Sequence, residues 1–258
     1  MTLISKLCSN LVAVGCLTCI LSSGCTQNQP QSSRSDDQTS ATNPDIKPRI
    51  ERVLTKEERD KLTPDEVLQV LKDGNQRFLS GTLTSRDHSK QVRDAVLGQY
   101  PKAVILSCLD SRIPVEDVFD RGIGDIFVAR VAGNFENTDI LGSMEFGCKV
   151  AGSKLILVLG HEHCGAVKGA IDGVEFGNIT PMLKNIRPAV EHFTDYEGVK
   201  SSENEEFVHM VTEQNVRLTI TGIREQSAVL NEMESNGEIK IVGGLYDMNS
   251  GTVTFIEE

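Results

Sequence analysis

The 258-residue sequence contains no tryptophan, and aromatic residues make up only 5% of it. That argues against a platform of stacked rings for sugars or nucleobases. Basic charge is also scarce: 26 Lys and Arg stand against 37 Asp and Glu, a formal charge of −11. A nucleic-acid binder needs clustered Lys and Arg to neutralise phosphates, so no nucleic-acid partner is expected. The apolar stretch from Leu11 to Leu21 is about eleven residues, whereas a bilayer core of roughly 30 Å needs about 20. Paired cysteines are missing too. Seven Cys over a long chain make a poor disulfide framework and fit metal binding or lipidation better. What is present is ordinary for a soluble globular domain: 39% hydrophobic and 24% charged residues, on a chain long enough to bury a core.

The first fifty residues read as targeting and tether. Lys6 is the only charge in residues 1–25, and Ser22, Ser23 and Gly24 precede Cys25. The apolar stretch has the length of a signal-peptide core. The segment resembles a bacterial lipoprotein signal (residues 1–24), with Cys25 as the lipid attachment site. Leu21 stands four residues before that cysteine, with Ser22 at the position where the usual leucine falls. An ordinary secretory signal, with a secreted soluble product, is the alternative. Residues 25–52 are rich in Gln, Ser, Thr, Asp and Pro and bury too little to order themselves, so they are expected to form a flexible tether. The expected location is the bacterial periplasm, with membrane attachment only through the lipid. Gln27, two residues after Cys25, points to the outer membrane by resemblance.

From residue 53 to 258 the pattern is one α/β domain. Thr63-Pro64-Asp65-Glu66 is a helix start with a capping box, followed by Val67, Leu68, Leu71 and Phe78 at helical spacing. Short apolar runs of strand length follow at 102–108, 126–132, 155–160, 239–245 and 252–256. Helical stretches are expected at 139–151, 166–171, 179–192 and 203–236. Continuous apolar strands separated by helices imply a mostly parallel central sheet flanked by helices. In such a sheet, ligands gather beyond the carboxyl ends of the strands.

Two strand ends carry chemistry. The first ends in Cys108-Leu109-Asp110-Ser111-Arg112 and the third in His161-Glu162-His163-Cys164-Gly165. A lone Cys at a strand end is usually a small buried hydrophobe. Two such ends, one with an adjacent His, favour a zinc site built from two thiolates and an imidazole, with the fourth position left for water or substrate. A turn after Gly160 favours His161 with Cys164; His161 with His163 is the alternative. Cys148 reads as core, while His88, His192 and His209 read as solvated. Glu203, Glu205 and Glu206 read as a helix start, and Gly122 and Gly124 as a turn.

The paired motifs Cys108-x-Asp110-Ser111-Arg112 and Gly160-His161-x-x-Cys164-Gly165 resemble the signatures of β-class carbonic anhydrases. Gly98-Gln99, the stretch from Phe127 to Asn134, Glu145-Phe146 and Gly244-x-Tyr246-Asp247 fit the same family, over roughly residues 65–256. The resemblance implies one Zn²⁺ per subunit on Cys108, His161 and Cys164, and reversible hydration of CO₂ to bicarbonate and a proton by hydroxide generated at the zinc. It implies that Asp110 orients the nucleophile or closes on the zinc as a fourth ligand, and that Arg112 gates that choice. Gln99, Phe127, Ala132 and Phe146 would form the substrate pocket, and His163 is a candidate proton shuttle. An inhibitory bicarbonate site of Trp, Arg and Tyr occurs in some members. Arg130 and Tyr246 match it, but Ile105 stands in the Trp position. A homodimer or higher homo-oligomer is implied. The alternatives are a carbonyl sulfide or carbon disulfide hydrolase on the same scaffold, and a non-enzymatic zinc or bicarbonate-binding module. The Asp110–Arg112 pair argues against the latter.

Overall fold

The computed structural model describes residues 53–256. The expected signal peptide, the tether and Cys25 lie outside the described residues. Among those described, no helix is long and apolar enough to cross a membrane.

The chain begins with two helices, α1 (Lys56–Asp60) and α2 (Pro64–Leu79), each opened by a capping box, Thr55 with Glu58 and Thr63 with Glu66. A third helix, α3 (His88–Asp94), precedes β1 (Ala103–Ser107). Then come α4 (Val115–Val118), β2 (Ile126–Arg130), α5 (Thr138–Glu145) and a π-helical turn at Phe146–Val150. The second half runs β3 (Leu155–His161), α6 (Gly165–Ile171), α7 (Ile179–Leu183), α8 (Arg187–Glu191), α9 (Glu205–Gln226), α10 (Ala228–Ser235), β4 (Lys240–Tyr246) and β5 (Val253–Ile256).

All five strands form one sheet in the order β2-β1-β3-β4-β5. The first four are parallel, and β5 runs antiparallel to β4. The expected mixed α/β fold with a central, mostly parallel sheet is the fold observed. Period-two alternation divides the core between the two faces. Ala103, Ile105, Leu155, Leu157 and Leu159 join Val67, Leu68 and Leu71 of α2 on one face. Val104, Leu106, Ile156 and Val158 join Met144, Val216 and Ile220 on the other. The central strands β1 and β3 are buried along their whole length, which is why they read as unbroken apolar runs.

The connection from β1 leads to β2 on one side, and the chain then returns to place β3 on the other. The carboxyl ends of β1 and β3 therefore flank the crevice where ligands bind in open α/β sheets. Helix α9 covers β3 and β4 closely. A methyl group on Gly160 would meet Val216 Cγ2 at 2.7 Å, and one on Gly243 would meet Val216 Cγ1 at 2.8 Å. Glycine at these two strand positions lets the helix lie near the sheet.

Three expected helices differ in detail. The 203–236 stretch breaks at Ser227, which ends α9 and caps α10. Its Oγ accepts from Leu230 N and donates to Glu145 Oε1 at 2.6 Å. The 139–151 stretch widens into the π-helical turn, where Gly147 lies against β1: a Cβ there would meet Val104 Cγ2 at 2.5 Å. The 179–192 stretch is two short helices. Helices α1, α3 and α4 have only four to seven residues and carry no sustained apolar periodicity, so the pattern gave no sign of them.

Asp120 anchors the turn before β2. It is fully buried and accepts from Arg77 Nε at 2.5 Å, Arg86 Nη1 at 2.7 Å and Thr84 Oγ1 at 2.7 Å. Burial pushes its carboxyl up, but these hydrogen bonds outweigh burial and hold it below the usual carboxylate range. A depressed folded-state pKa adds stability above the unfolded value, near 3.9, and loses it as pH falls below. Asp120→Asn is expected to cost about 3 kcal/mol at pH 7, because two guanidinium groups lose their carboxylate. Urea unfolding at pH 7 and pH 3 checks this: the gap between wild type and variant should narrow at pH 3.

Candidate active site

Cys108 follows the last residue of β1, and His161 is the last residue of β3. Because β1 pairs with β3, with Ser107 opposite Leu159, these two side chains start as neighbours. The chain then turns sharply through His163, whose φ of 54° lies in the left-handed region, and places Cys164 as N-cap of α6. The two sulfurs and one ring nitrogen of His161 lie within 4.8 Å of one another, all buried. Among the described residues this is the one such group of three able to hold a metal. The Sγ atoms of Cys108 and Cys164 are 3.9 Å apart, and both thiols are free of disulfides. The structure brings His161 together with Cys164, and His163 is not in this group.

The electrostatics suit a soft cation. His161 Nδ1 lies 2.8 Å from the Glu162 carbonyl oxygen. A carbonyl only accepts, so Nδ1 donates and Nε2 is the ring nitrogen left for a ligand. That Nε2 is buried with no hydrogen-bond partner, the state of a nitrogen kept for a ligand. Cys108 is drawn well down, chiefly by the Cys164 thiol beside it, with smaller help from the Gly133 N–H at 3.3 Å. Cys164 is correspondingly pushed up by its hydrogen bond to Cys108 and by burial. Both thiols would have to be deprotonated to bind a metal. Two sulfurs and one imidazole nitrogen fit Zn²⁺.

Asp110 stands beside this group but not in it. It builds a short turn in which its Oδ1 accepts from the backbone N–H of Arg112 at 3.0 Å. The guanidinium then returns two parallel bonds, Nε to Oδ1 at 2.9 Å and Nη2 to Oδ2 at 2.6 Å. The Arg112 hydrogen bonds pull the Asp110 carboxyl down to about 2, so it is an acceptor at neutral pH. Of the two arrangements expected for Asp110, the structure adopts the one held by Arg112, and Asp110 is not among the clustered ligand atoms.

Arg130, which matches the second bicarbonate site by sequence, is bonded to the loop after β1. Its Nη1 donates to the Cys108 carbonyl at 2.8 Å and its Nη2 to the Ile113 carbonyl at 2.7 Å. It therefore fixes the loop that carries Cys108 and Asp110. Ile105 is fully buried in the core. Cys148 is buried, as read from sequence, with its thiol pushed up to about 12 by desolvation. His209 is half-exposed yet bonded, its Nδ1 being 2.6 Å from Glu162 Oε1. His163 lines a cleft of about 290 Å³ with Glu162, Lys168 and His209.

Within one chain the four expected pocket residues do not line a single cavity. Gln99 is exposed. Phe127 and Phe146 do come together, with ring centroids 6.3 Å apart. They line an open groove of about 610 Å³ with Val104, Val128 and Gly142, and none of Cys108, His161 and Cys164 lines it. Ala132 is partly buried beside Gly133. Arg130, Glu162 and His209 bond to or beside the triad's loops in ways the sequence did not mark. The position of Glu162 between His161 and Cys164 was the available signal.

Residues 103–253 match the sequence profile described as carbonic anhydrase. A carbonic anhydrase 2 of Mycobacterium tuberculosis is 33% identical over 189 residues, covering 73% of this chain and 90% of the relative. The carbonic anhydrase of Mycolicibacterium smegmatis is 32% identical, covering 74% and 92%. Among solved structures, the β-carbonic anhydrase CafA of Aspergillus fumigatus is similar with a TM-score of 0.59 and 27% identity, covering 66% of this chain and 82% of that one. On this evidence the chain belongs to the carbonic anhydrase family and, within it, to the β class of zinc-dependent lyases.

Proposed function

We propose that this chain catalyses the reversible hydration of CO₂ to bicarbonate and a proton, with Cys108, His161 and Cys164 holding one Zn²⁺. The observation that carries the reading is the partnerless, buried Nε2 of His161, placed with two thiols beside an arginine-locked carboxylate. A bound zinc supplies Lewis acidity toward water at neutral pH.

The chain's own residues do the rest. Arg112 engages both oxygens of Asp110, which keeps the carboxylate ionised and turned away from the ligand atoms. With one lone pair left on Oδ2, Asp110 can accept a proton's hydrogen bond from the attacking water and fix its orientation. Arg130 holds the loop beneath both residues, and the Gly133 N–H supports charge on Cys108. Two thiolates donate more charge to a metal than two imidazoles would, so this surrounding support matters more.

The apolar slot for CO₂ is completed by a second copy of the chain. In support, β2 is an edge strand, and Phe146, with its ring 6.3 Å from that of Phe127 in β2, is 51% exposed, apolar surface that a partner would cover. Phe146→Asp is expected to shift the chain to monomer by light scattering and to lower CO₂ turnover at least tenfold. By the same reading, the domain works in the periplasm on a lipid at Cys25, and palmitate labelling of wild type and Cys25→Ala tests the anchor.

Comparing CO₂ and carbonyl sulfide turnover by the purified zinc-loaded chain tests the substrate. CO₂ should be the faster by at least tenfold. Turnover of carbonyl sulfide alone would overturn the assignment.

A further inference from the structure

We propose that the Glu162–His209 pair is a brace that positions the metal ligand His161 from helix α9. The inference rests on the reading of Cys108, His161 and Cys164 as zinc ligands, and it assigns His209 a positioning role.

Glu162 sits between two of those ligands and has three separate attachments. Its backbone N–H donates to the Tyr246 carbonyl at 3.0 Å, which ties it to β4. Its carbonyl accepts from His161 Nδ1 at 2.8 Å, which sets the tautomer and the ring plane of the ligand. Its carboxylate accepts from His209 Nδ1 at 2.6 Å. The peptide that orients His161 is therefore pinned to the sheet at one end, and through the side chain to a helix.

That helix is a firm support. The residues around His209, namely Phe207, Val208, Val211 and Thr212, are all buried. The remaining part of the turn is less firmly held. His163 follows with a left-handed backbone, and the Arg112 Nη2 contact to its carbonyl is long, at 3.4 Å. Without the His209 bond, Glu162 keeps only its N–H bond to β4, and the carbonyl that orients the His161 ring is held less firmly. The pair is itself partly exposed, at 48% for His209 and 22% for Glu162. Such pairs add little to global stability, so its removal acts on the ligand and not on the fold.

Zinc release from the full-length, zinc-loaded chain into excess chelator tests the brace. His209→Leu and Glu162→Ala should each release zinc about tenfold faster, the lower end of the range for outer-shell partners. The double variant should be no faster than either single one, since both remove the same bond. His209→Asn places an amide N–H near the Nδ1 position and should restore a rate within about twofold of wild type. In cobalt-substituted protein, the visible ligand-field bands should shift in His209→Leu and return in His209→Asn. Urea midpoints should stay unchanged throughout, and Glu162→Ala provides the reading if His209→Leu folds poorly. A wild-type release rate in His209→Leu, additive effects in the double variant, or no rescue by Asn would overturn the brace. A wild-type chain that takes up no zinc would overturn the underlying site as well, a separate and distinguishable result.

Discussion

His161→Gln is expected to yield a folded chain that retains no stoichiometric zinc and hydrates CO₂ at the buffer rate. His161 contributes no surface and is fully buried at the end of β3. Its neighbours in the strand, from Leu155 to Gly160, hold the sheet without it. What the substitution removes is the one nitrogen donor among the clustered ligand atoms. Two thiols then remain, 3.9 Å apart, and they must be deprotonated to bind a cation. Loss of a direct ligand should exceed the ~10–100-fold affinity loss that an outer-shell partner costs. Cys108→Ser, which changes a single atom, should give the same outcome. Zinc content by atomic absorption, with circular dichroism for the fold, checks both. Stoichiometric zinc in either variant would contradict the ligand assignment.

Arg112→Ala is expected to keep zinc at one per chain yet lower CO₂ hydration by about two orders of magnitude, the scale for losing a preorganised charge beside a reacting centre. Arg112 provides three of the bonds on Asp110, two from its guanidinium and one from its backbone. Only the backbone bond survives the substitution. A carboxylate released beside a bound cation would be attracted to it and would compete with water there. Arg112→Lys should recover little, because an ammonium cannot make the two parallel bonds. X-ray absorption should show an added oxygen ligand in the alanine variant. A near-wild-type rate with full zinc would contradict the gating role.

The sequence revealed the sheet because β1 and β3 are covered on both faces, so burial is written along the chain as continuous apolar runs. The triad was legible for a related reason. Cys108 and His161 lie at strand ends and Cys164 only three residues beyond one, and strand order fixes which ends are neighbours. What was hidden depends on contacts between distant segments. Ser227 interrupts a long helical pattern with no Gly or Pro to mark it, and its partner Glu145 lies 82 positions away. Arg130 spends its charge on carbonyls 17 and 22 positions back, a use that no motif specifies. His209 resembled any solvated helix residue until α9 crossed the sheet and brought it to Glu162. The groove around Phe127 and Phe146 contains no part of the triad, and no pattern within one chain can state what a second copy adds.

Stopped-flow CO₂ hydration by the full chain, with zinc content measured on the same samples, tests the central claim most directly. The rate should rise in proportion to zinc occupancy, reach its maximum at one zinc per chain, and fall to background when the metal is chelated. A chain carrying one zinc that hydrates CO₂ no faster than buffer would contradict the account.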